Sequence, residues 1–333
     1  MQLQLSFIIP VYNRPDEIKE LLESFAHQDY KGTYEIVIIE DGSSSTAAGI
    51  IKEFNDQLNI TYLEKENTGP GDSRNYGMKR ASGTYFIILD SDCVLPEHYI
   101  RTVLHSLEEN YVDCFGGPDA AQDSFSSIQR AINYSMTSLL TTGGIRGGKK
   151  QLDKFQPRSF NMGLSKKAFE ATQGFGNIHP GEDPDLVLRL WKKGFATRLI
   201  TKAYVYHKRR ISWSKFYKQV HKFGLVRPIL NHWHPESAKI IYWFPTLFVI
   251  SLHIAIVLSI LGYHIGLYIF GVYFALVLIH ALLITRSIQT GLLSLFAVCI
   301  QFLGYGWGFL KSTIAIVLFR KEPRTHFPQL FFD

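Results

Sequence analysis

FIILDSDCV, residues 86–94, decides how this chain is read. Four apolar residues with the pattern of a buried strand run directly into Asp90 and Asp92, separated by Ser91 alone. Two carboxylates at that spacing repel one another where the strand leaves the core, so a compensating charge is required, and a divalent cation is the obvious candidate. Upstream of it, strand and helix signals alternate. LSFIIP (5–10) is an apolar run; Pro15 and Asp16 then open an amphipathic helix through about His27, with Ile18, Leu21, Leu22 and Phe25 on one face. EIVIIEDGS (35–43) is a second strand closing in an acidic turn, and NITYLE (59–64) a third, followed by a Gly/Pro loop and a helix from about Gly71 to Ala81. TYFIILD (84–90) is the fourth. This alternation predicts a doubly wound α/β sheet, in which ligands bind outside the carboxyl ends of the strands. Pro10 to Asn13, Asp41, Arg74, and Asp90 with Asp92 all stand at such ends.

The remaining composition sets bounds. A chain of 333 residues, 46% hydrophobic and 14% aromatic, is long enough for about two units. Its charge is lopsided: residues 241–310 carry a single formal charge, Arg286. That asymmetry predicts a soluble domain over 1–210, an amphipathic segment over 211–235 and a membrane domain over 236–333. Residues 241–261 and 265–285 are each long enough to cross a bilayer core of roughly 30 Å. A third apolar run, 292–319, is interrupted by GYGWG (304–308) and Lys311, which leaves open a third span or a broken, re-entrant element. The short linker GYH (262–264) lacks Lys and Arg while Arg286 follows the second span, so the positive-inside rule places the N-terminal domain on the cytoplasmic side. MQLQLSFIIPVYN has no basic leader and reads as a first strand rather than a secretory signal. Three cysteines, Cys93, Cys114 and Cys299, without CxxC spacing fit a reducing compartment and argue against a thiolate zinc site. The net charge of +6 is modest, and with KRR (208–210) close to the apolar half it suits lipid headgroups or phosphates better than nucleic acid.

FIIPVYNRPDEIKELLESFAHQ, EIVIIEDGSS, NTGPGDSRNYGMKRASGTYFIILDSD and FNMGLSKKAFEATQGFGNIHPGEDPDLVLRLWKKGF resemble, in order, the successive signatures of family 2 glycosyltransferases of the GT-A fold. The resemblance covers residues 1 to about 210 and implies a Rossmann-like mixed sheet flanked by helices, here followed by an α-helical membrane domain. It implies a nucleotide-sugar donor and a Mn²⁺ or Mg²⁺ ion held by few carboxylates, which stabilises the diphosphate as the sugar–phosphate bond breaks. By resemblance Asp92 is the direct metal ligand, Asp90 meets ribose or reaches the metal through water, and His207 completes the metal and diphosphate site beside Arg209. Asp41 resembles the nucleobase-recognising residue, with Pro10 and Tyr12 lining the same pocket, and Arg74 would meet nucleotide phosphates. Glu182 and Asp183 resemble the family's ED motif, in which the Asp is the general base for an inverting transfer.

Each of these has a plainer reading. Asp90-Ser91-Asp92 is a helix-capping turn near Pro96, DGSS is good loop sequence, and acidic residues before LVLRLWKKG suit a helix N-terminus in any protein. NTGPG fails as a dinucleotide fingerprint because Arg stands at 74 where GxGxxG needs glycine. His232 and His234 in NHWHP suit a membrane interface better than a metal. TTGGIRGGKK (141–150) is a basic, glycine-rich loop, either a flap over the ligands or a linker.

Trp213, Phe216, Tyr217, Val220 and Phe223 recur at near-helical spacing among lysines, as in a helix lying on a bilayer or packed on the catalytic domain. QVHKF (219–223) lacks the Arg-Trp of the QxxRW element found in processive synthases of the family. The expectation is therefore a single-transfer hexosyltransferase of cell-envelope polysaccharide biosynthesis. It uses a donor such as a UDP-sugar and a lipid-linked or membrane-held glycan acceptor. A processive synthase and a catalytically inactive sugar-nucleotide-binding scaffold are the rivals, and the sequence does not fix the oligomeric state.

Overall fold

A computed structural model describes residues 3–120, 125–142, 154–207 and 212–332. In chain order the elements are β1 (Leu5–Val11), α1 (Pro15–Ala26), β2 (Glu35–Asp41), α2 (Ala48–Phe54), β3 (Ile60–Lys65), α3 (Pro70–Arg80), β4 (Tyr85–Leu89), β5 (Cys93–Val94), α4 (Tyr99–Glu109), β6 (Cys114–Gly116) and β7 (Asp119–Ala120). Then come α5 (Ser127–Thr137), α6 (Leu139–Thr142), β8 (Asn161–Ser165), α7 (Lys166–Thr172), α8 (Glu182–Lys192), β9 (Thr197–Leu199) and β10 (Val205–His207). The helical half comprises α9 (Trp213–Trp233), α10 (Phe244–Ile260), α11 (Ile265–Thr285) and α12 (Ile288–Thr313).

The chain divides into two compact units. One holds Met1–Gln122, Lys154–Arg209 and Phe331–Asp333; the other holds Asp123–Asp153 and Arg210–Leu330. In the first, seven strands form a mixed sheet in the order β3-β2-β1-β4-β8-β6-β9. β3, β2, β1 and β4 are parallel, and β8 runs antiparallel between β4 and β6. Both faces are covered, which is why Phe7, Ile8, Ile9 and Phe86 to Leu89 are apolar without alternation and fully buried. Phe7, Ile9, Ile38, Tyr85 and Ile87 face one layer with α1 and α4; Ile8, Val37, Ile39, Phe86 and Ile88 face the other with α3 and α8. A small sheet, β5-β10-β7, sits beside the end of β4. The reversal of β8 turns the doubly wound expectation into the mixed sheet of the GT-A class.

The division departs from a contiguous 1–210 domain. α5 is amphipathic, and its apolar face finds its partners in the helical unit: Ala131 and Ile132 pack with Phe216, Val220 and Ala297, and Tyr134 with Val249, Val277 and Phe302. The Tyr134 hydroxyl donates to Val277 O (3.2 Å) and lies 2.8 Å from His280 Nδ1. α9 likewise buries Phe216, Val220, Leu225, Val226, Ile229 and Leu230 inside this unit, although Tyr217 stays 42% exposed.

Three helices, Ile240–Ile260, Ile265–Thr285 and Ile288–Leu318, are long and apolar enough to cross a membrane. The third is continuous through GYGWG, and only its last turn, Ile314–Leu318, widens into a π-helix. The expected interruption does not occur because the glycines serve close packing. A Cβ on Gly308 would lie 2.4 Å from His221 O in α9, and one on Gly306 would lie 2.8 Å from Pro245 O in α10. Thr246 Oγ1 donates to Gly306 O (3.0 Å) across that approach.

Candidate active site

The parallel strands β1, β2 and β4 deliver their carboxyl ends to one edge of the sheet. β2 ends on Asp41, whose side chain is 5% exposed. Its Oδ1 accepts from Lys65 Nζ (2.8 Å) and Thr68 N–H (3.0 Å), and its Oδ2 from Gly69 N–H (3.1 Å). Asp41 thereby fastens the loop that leads into α3. Gly69 takes φ +89°, a region that favours glycine, and Pro70 opens the helix. The β1 and β2 loops are joined by Asn13. At φ +54° it donates its N–H to Ser43 Oγ (2.7 Å) and accepts from the amides of Ser44 (2.9 Å) and Ser45 (3.1 Å). Tyr12 beside it is 51% exposed and Pro10 half-buried in β1.

One turn into α3, Arg74 is buried to 5% exposure and joins the turn after β4 to the acidic turn of α8. Its Nη2 donates to Asp90 Oδ1 (2.8 Å) and its Nη1 to Glu182 Oε1 (3.5 Å), while the guanidinium lies 5.3 Å from the centroid of the Phe175 ring. Glu182 Oε1 is also 2.9 Å from His179 Nδ1. Asp183 Oδ2 accepts from Ser159 N–H (3.1 Å); its Oδ1 is buried with no hydrogen-bond partner among the described residues. The α8 N-terminus, opened by Gly181 at φ +128°, therefore carries Glu182, Asp183 and Asp185 in one turn. Its free amide dipoles favour that charge.

The electrostatics separate the two neighbouring acids. Burial works to raise the Glu182 carboxyl, but the hydrogen bond and charge of His179, together with Arg74, hold it down to about 2. Asp183 moves the other way, raised first by burial and then by the Glu182 charge, with Arg74 and Arg158 opposing. Burial also works to lower the Arg74 pKa, yet the charges of Asp90, Glu182 and Asp183 outweigh it and leave it raised. One carboxylate is thus locked ionised as a fixed negative group. Its neighbour has enhanced affinity for a proton, the property a general base needs.

At the other end of the corner, Asp92 Oδ2 receives Arg14 Nη1 (3.1 Å), which also lies 3.3 Å from Glu17. Asp90 is the more accessible of the pair, its side chain 32% exposed. Main-chain pairing sets His207 opposite Cys93, the residue after Asp92. The His207 side chain and Arg209 lie outside the described residues, as does most of the 141–150 loop. Among the described residues no group of three or more His, Cys, Asp or Glu is gathered for a metal. The donor set nonetheless fits a hard divalent ion that takes most of its ligands from phosphate and water: two carboxylates in one turn, both oxygen donors, one of them about a third exposed.

The structure brings Arg74, Asp90 and Glu182 together in one bonded cluster, with Asp183 next along the chain and within reach of the Arg74 and Glu182 charges. Four participants were not singled out from sequence: Arg14 on Asp92, Lys65 on Asp41, His179 on Glu182 and Ser159 on Asp183. Only Arg14, set between a strand end and a Pro-Asp-Glu helix start, carried a signal, as the basic residue closest to an acidic edge.

Residues 6–172, half of the chain, match the family model described as glycosyl transferase family 2. The chain belongs to glycosyltransferase family 2. The family match stops short of the Glu182–Asp183 turn. Relatives include the glycosyltransferase GlyA of Streptococcus pneumoniae, 35% identical over 33% of this chain and 16% of its own length. The poly(ribitol-phosphate) beta-N-acetylglucosaminyltransferase TarS of Staphylococcus aureus is 32% identical over 33% and 20%. The glycosyltransferase AglE of Haloferax volcanii is 32% identical over 41% and 50%. This family 2 chain thus spans between 16% and 20% of the length of the first two and half of the third. Among solved structures, the mannosyltransferase PcManGT of Pyrobaculum calidifontis, in complex with GDP-Man and Mn²⁺, aligns at a TM-score of 0.62. That alignment has 15% identity over 91% of this family 2 chain and 88% of the other, a likeness of fold.

Proposed function

We propose that this family 2 chain is an inverting, metal-dependent glycosyltransferase that moves one sugar from a nucleotide donor to a membrane-held acceptor. The observation that carries the reading is Asp183. It is a buried carboxylate with a raised proton affinity and one oxygen without a hydrogen-bond partner among the described residues, mounted on a helix terminus beside Glu182, which Arg74 joins to Asp90 after β4.

The chemistry follows from these groups. The loop from Thr68 to Gly69, fastened by Asp41, and the exposed Tyr12 border the base and ribose of the donor. Arg74, raised in pKa and already neutralising Asp90, is placed to meet phosphate charge as well. Asp90 and Asp92, with His207, would hold the divalent cation, which when bound stabilises the charge left on the departing diphosphate. Asp183 takes the proton of the acceptor hydroxyl as that oxygen attacks the anomeric carbon from the face opposite the diphosphate. Glu182 stays ionised beside it, keeping the Asp183 proton affinity high and holding Arg74 in place. With Asp183 as base and no second carboxylate singled out as a nucleophile among the described residues, single displacement with inversion is the outcome these residues favour.

The Pyrobaculum enzyme's complex with GDP-Man and Mn²⁺ and the staphylococcal relative's N-acetylglucosaminyl transfer both support a nucleotide-sugar donor and leave uracil and guanine in competition. Three apolar helices support an integral membrane protein, with the catalytic unit on the cytoplasmic face by the placement of Arg286, and a lipid-linked or membrane-held glycan as acceptor in envelope polysaccharide synthesis. The test is nucleotide release by the detergent-purified intact chain from a panel of UDP-, GDP- and other nucleotide sugars with Mn²⁺ or Mg²⁺, repeated with Asp183→Asn. Turnover of no donor, or undiminished transfer by Asp183→Asn, would overturn the assignment. A polymeric product would favour the processive rival.

A further inference from the structure

After the apolar helices the chain returns to the mixed-sheet unit at Phe331. Phe331 pairs with Ile178 in an antiparallel bridge, and Phe332 N–H donates to Asn177 O at 3.1 Å. This short pairing adds to the hold on the loop between α7 and α8, a stretch containing Gly174, Gly176 and Gly181 in which the Asn75 side chain already binds Phe175 N–H and O (2.8 Å each), Arg189 binds Gly174 O (2.7 Å) and Ile178 is buried. The half-buried Phe332 ring then rests on two loops at once. It lies so close over Gly69 that a Cβ there would come within 2.4 Å of the ring, and its centroid is 5.8 Å from that of His179. Gly69 is the residue whose amide holds Asp41, and His179 the residue whose Nδ1 meets Glu182. One ring therefore bears on the start of α3, which carries Arg74, and on the start of α8, which carries Asp183.

We propose that Phe332 is a positioning residue for sugar transfer. Its ring holds the His179 imidazole against Glu182 and so fixes Glu182, Arg74 and the base Asp183 relative to the donor edge. The proposal rests on Glu182–Asp183 being the catalytic turn. His179 has little else to orient it: its side chain is 40% exposed, and its described contacts are Glu182 and Phe332. Displacements of about 1 Å in a catalytic group cost up to a hundredfold in rate, so an aromatic wall on a glycine-rich loop matters out of proportion to its area.

The experiment compares wild type, Phe332→Ala, Phe332→Tyr, His179→Ala and the Phe332→Ala/His179→Ala double variant as intact protein in detergent. Two measurements are made: hydrogen–deuterium exchange of the peptide covering residues 176–184 without substrate, and kcat and donor KM from nucleotide release. Phe332→Ala is expected to raise exchange in that peptide and to lower kcat by about tenfold or more, with donor KM changed by less than about threefold. Phe332→Tyr, which keeps the ring, is expected to restore both, and Phe332→Ala is expected to cost little further once His179 is gone. Unchanged exchange, unchanged kcat, or an equal loss in the His179→Ala background overturns the proposal. So does a rise in donor KM at constant kcat, which would make Phe332 a wall of the nucleotide pocket. Should Phe332→Ala not fold, Phe332→Leu replaces it under the same criteria. If wild type turns over no donor, the functional reading fails, and the exchange comparison still decides whether Phe332 orders the acidic turn.

Discussion

Replacing Arg74 with methionine removes the one cation among the described residues that touches both Asp90 and Glu182 while keeping most of the side-chain volume. Deleting one partner of a buried ion pair generally costs 3–5 kcal/mol, because the remaining charge stays buried without compensation. Glu182 is almost fully buried, but Asp90 is 32% exposed and can recover water, so about 3 kcal/mol is the appropriate magnitude at pH 7. For a unit of this size that corresponds to a fall in melting temperature of about 6–12 °C. The deficit depends on pH in a definite direction. In wild type, Glu182 titrates at about 2, below its ordinary 4.5, so its stabilisation is complete above about pH 4.5 and is lost as pH falls toward 2. Asp183 has a raised value, so as an anion it opposes folding at neutral pH, and this penalty is relieved as pH falls through its folded value. Without Arg74 both acids, Glu182 and Asp183, bind protons more tightly in the folded state, because its charge lowers each of them. The Arg74→Met deficit should therefore be largest at pH 7 and shrink as pH is lowered toward 4.5. Thermal melting of the intact protein in detergent across that range, with Arg74→Lys as the charge-retaining control, measures it. A melting temperature within about 1 °C of wild type at pH 7, or a deficit independent of pH, would refute the view of Arg74 as the charge hub.

Asp183→Asn should lower kcat by about a hundredfold or more while leaving donor KM near wild type, read from nucleotide release. In wild type, kcat/KM should rise with pH through the Asp183 value, which lies above the ordinary 3.8 for an aspartate, because the base acts deprotonated. Asp92→Asn should weaken Mn²⁺ binding measured by electron paramagnetic resonance titration with nucleotide diphosphate present; unchanged affinity would remove Asp92 from the metal site. Gly308→Leu forces a side chain into the His221 carbonyl and should lower thermal stability by about 1–3 kcal/mol. A wild-type melting curve for that variant would show that α9 and α12 do not need their close approach.

The parallel strands and the acids at their ends were legible because a doubly covered sheet demands continuous apolar runs, and LSFIIP, EIVII and FIIL are such runs ended abruptly by charge. Asp90 and Asp92 declared themselves in the same way. The division of the chain was not legible. The amphipathic face of α5 announces that it will be buried, and periodicity is silent about which unit supplies the partner. The three glycines of GYGWG read as breaks because glycine weakens an isolated helix, whereas here the backbone approach of α9 and α10 compensates. His179 and Phe332 were missed for a related reason. The contact of Phe332 with His179 joins residues more than 150 positions apart, and a lone His or a Phe-Phe pair has no local pattern to mark it.

The return of the chain to the catalytic corner at Phe331 has a consequence in time as well as in space. A nascent polypeptide can lay down its sheet, its guanidinium hub and its acidic turn while the apolar helices are still entering lipid, yet the ring that rests on Gly69 and His179 is not synthesised until those helices have been. In this order of synthesis the corner that holds Arg74 and Asp183 gains its aromatic support only after the apolar helices have been made.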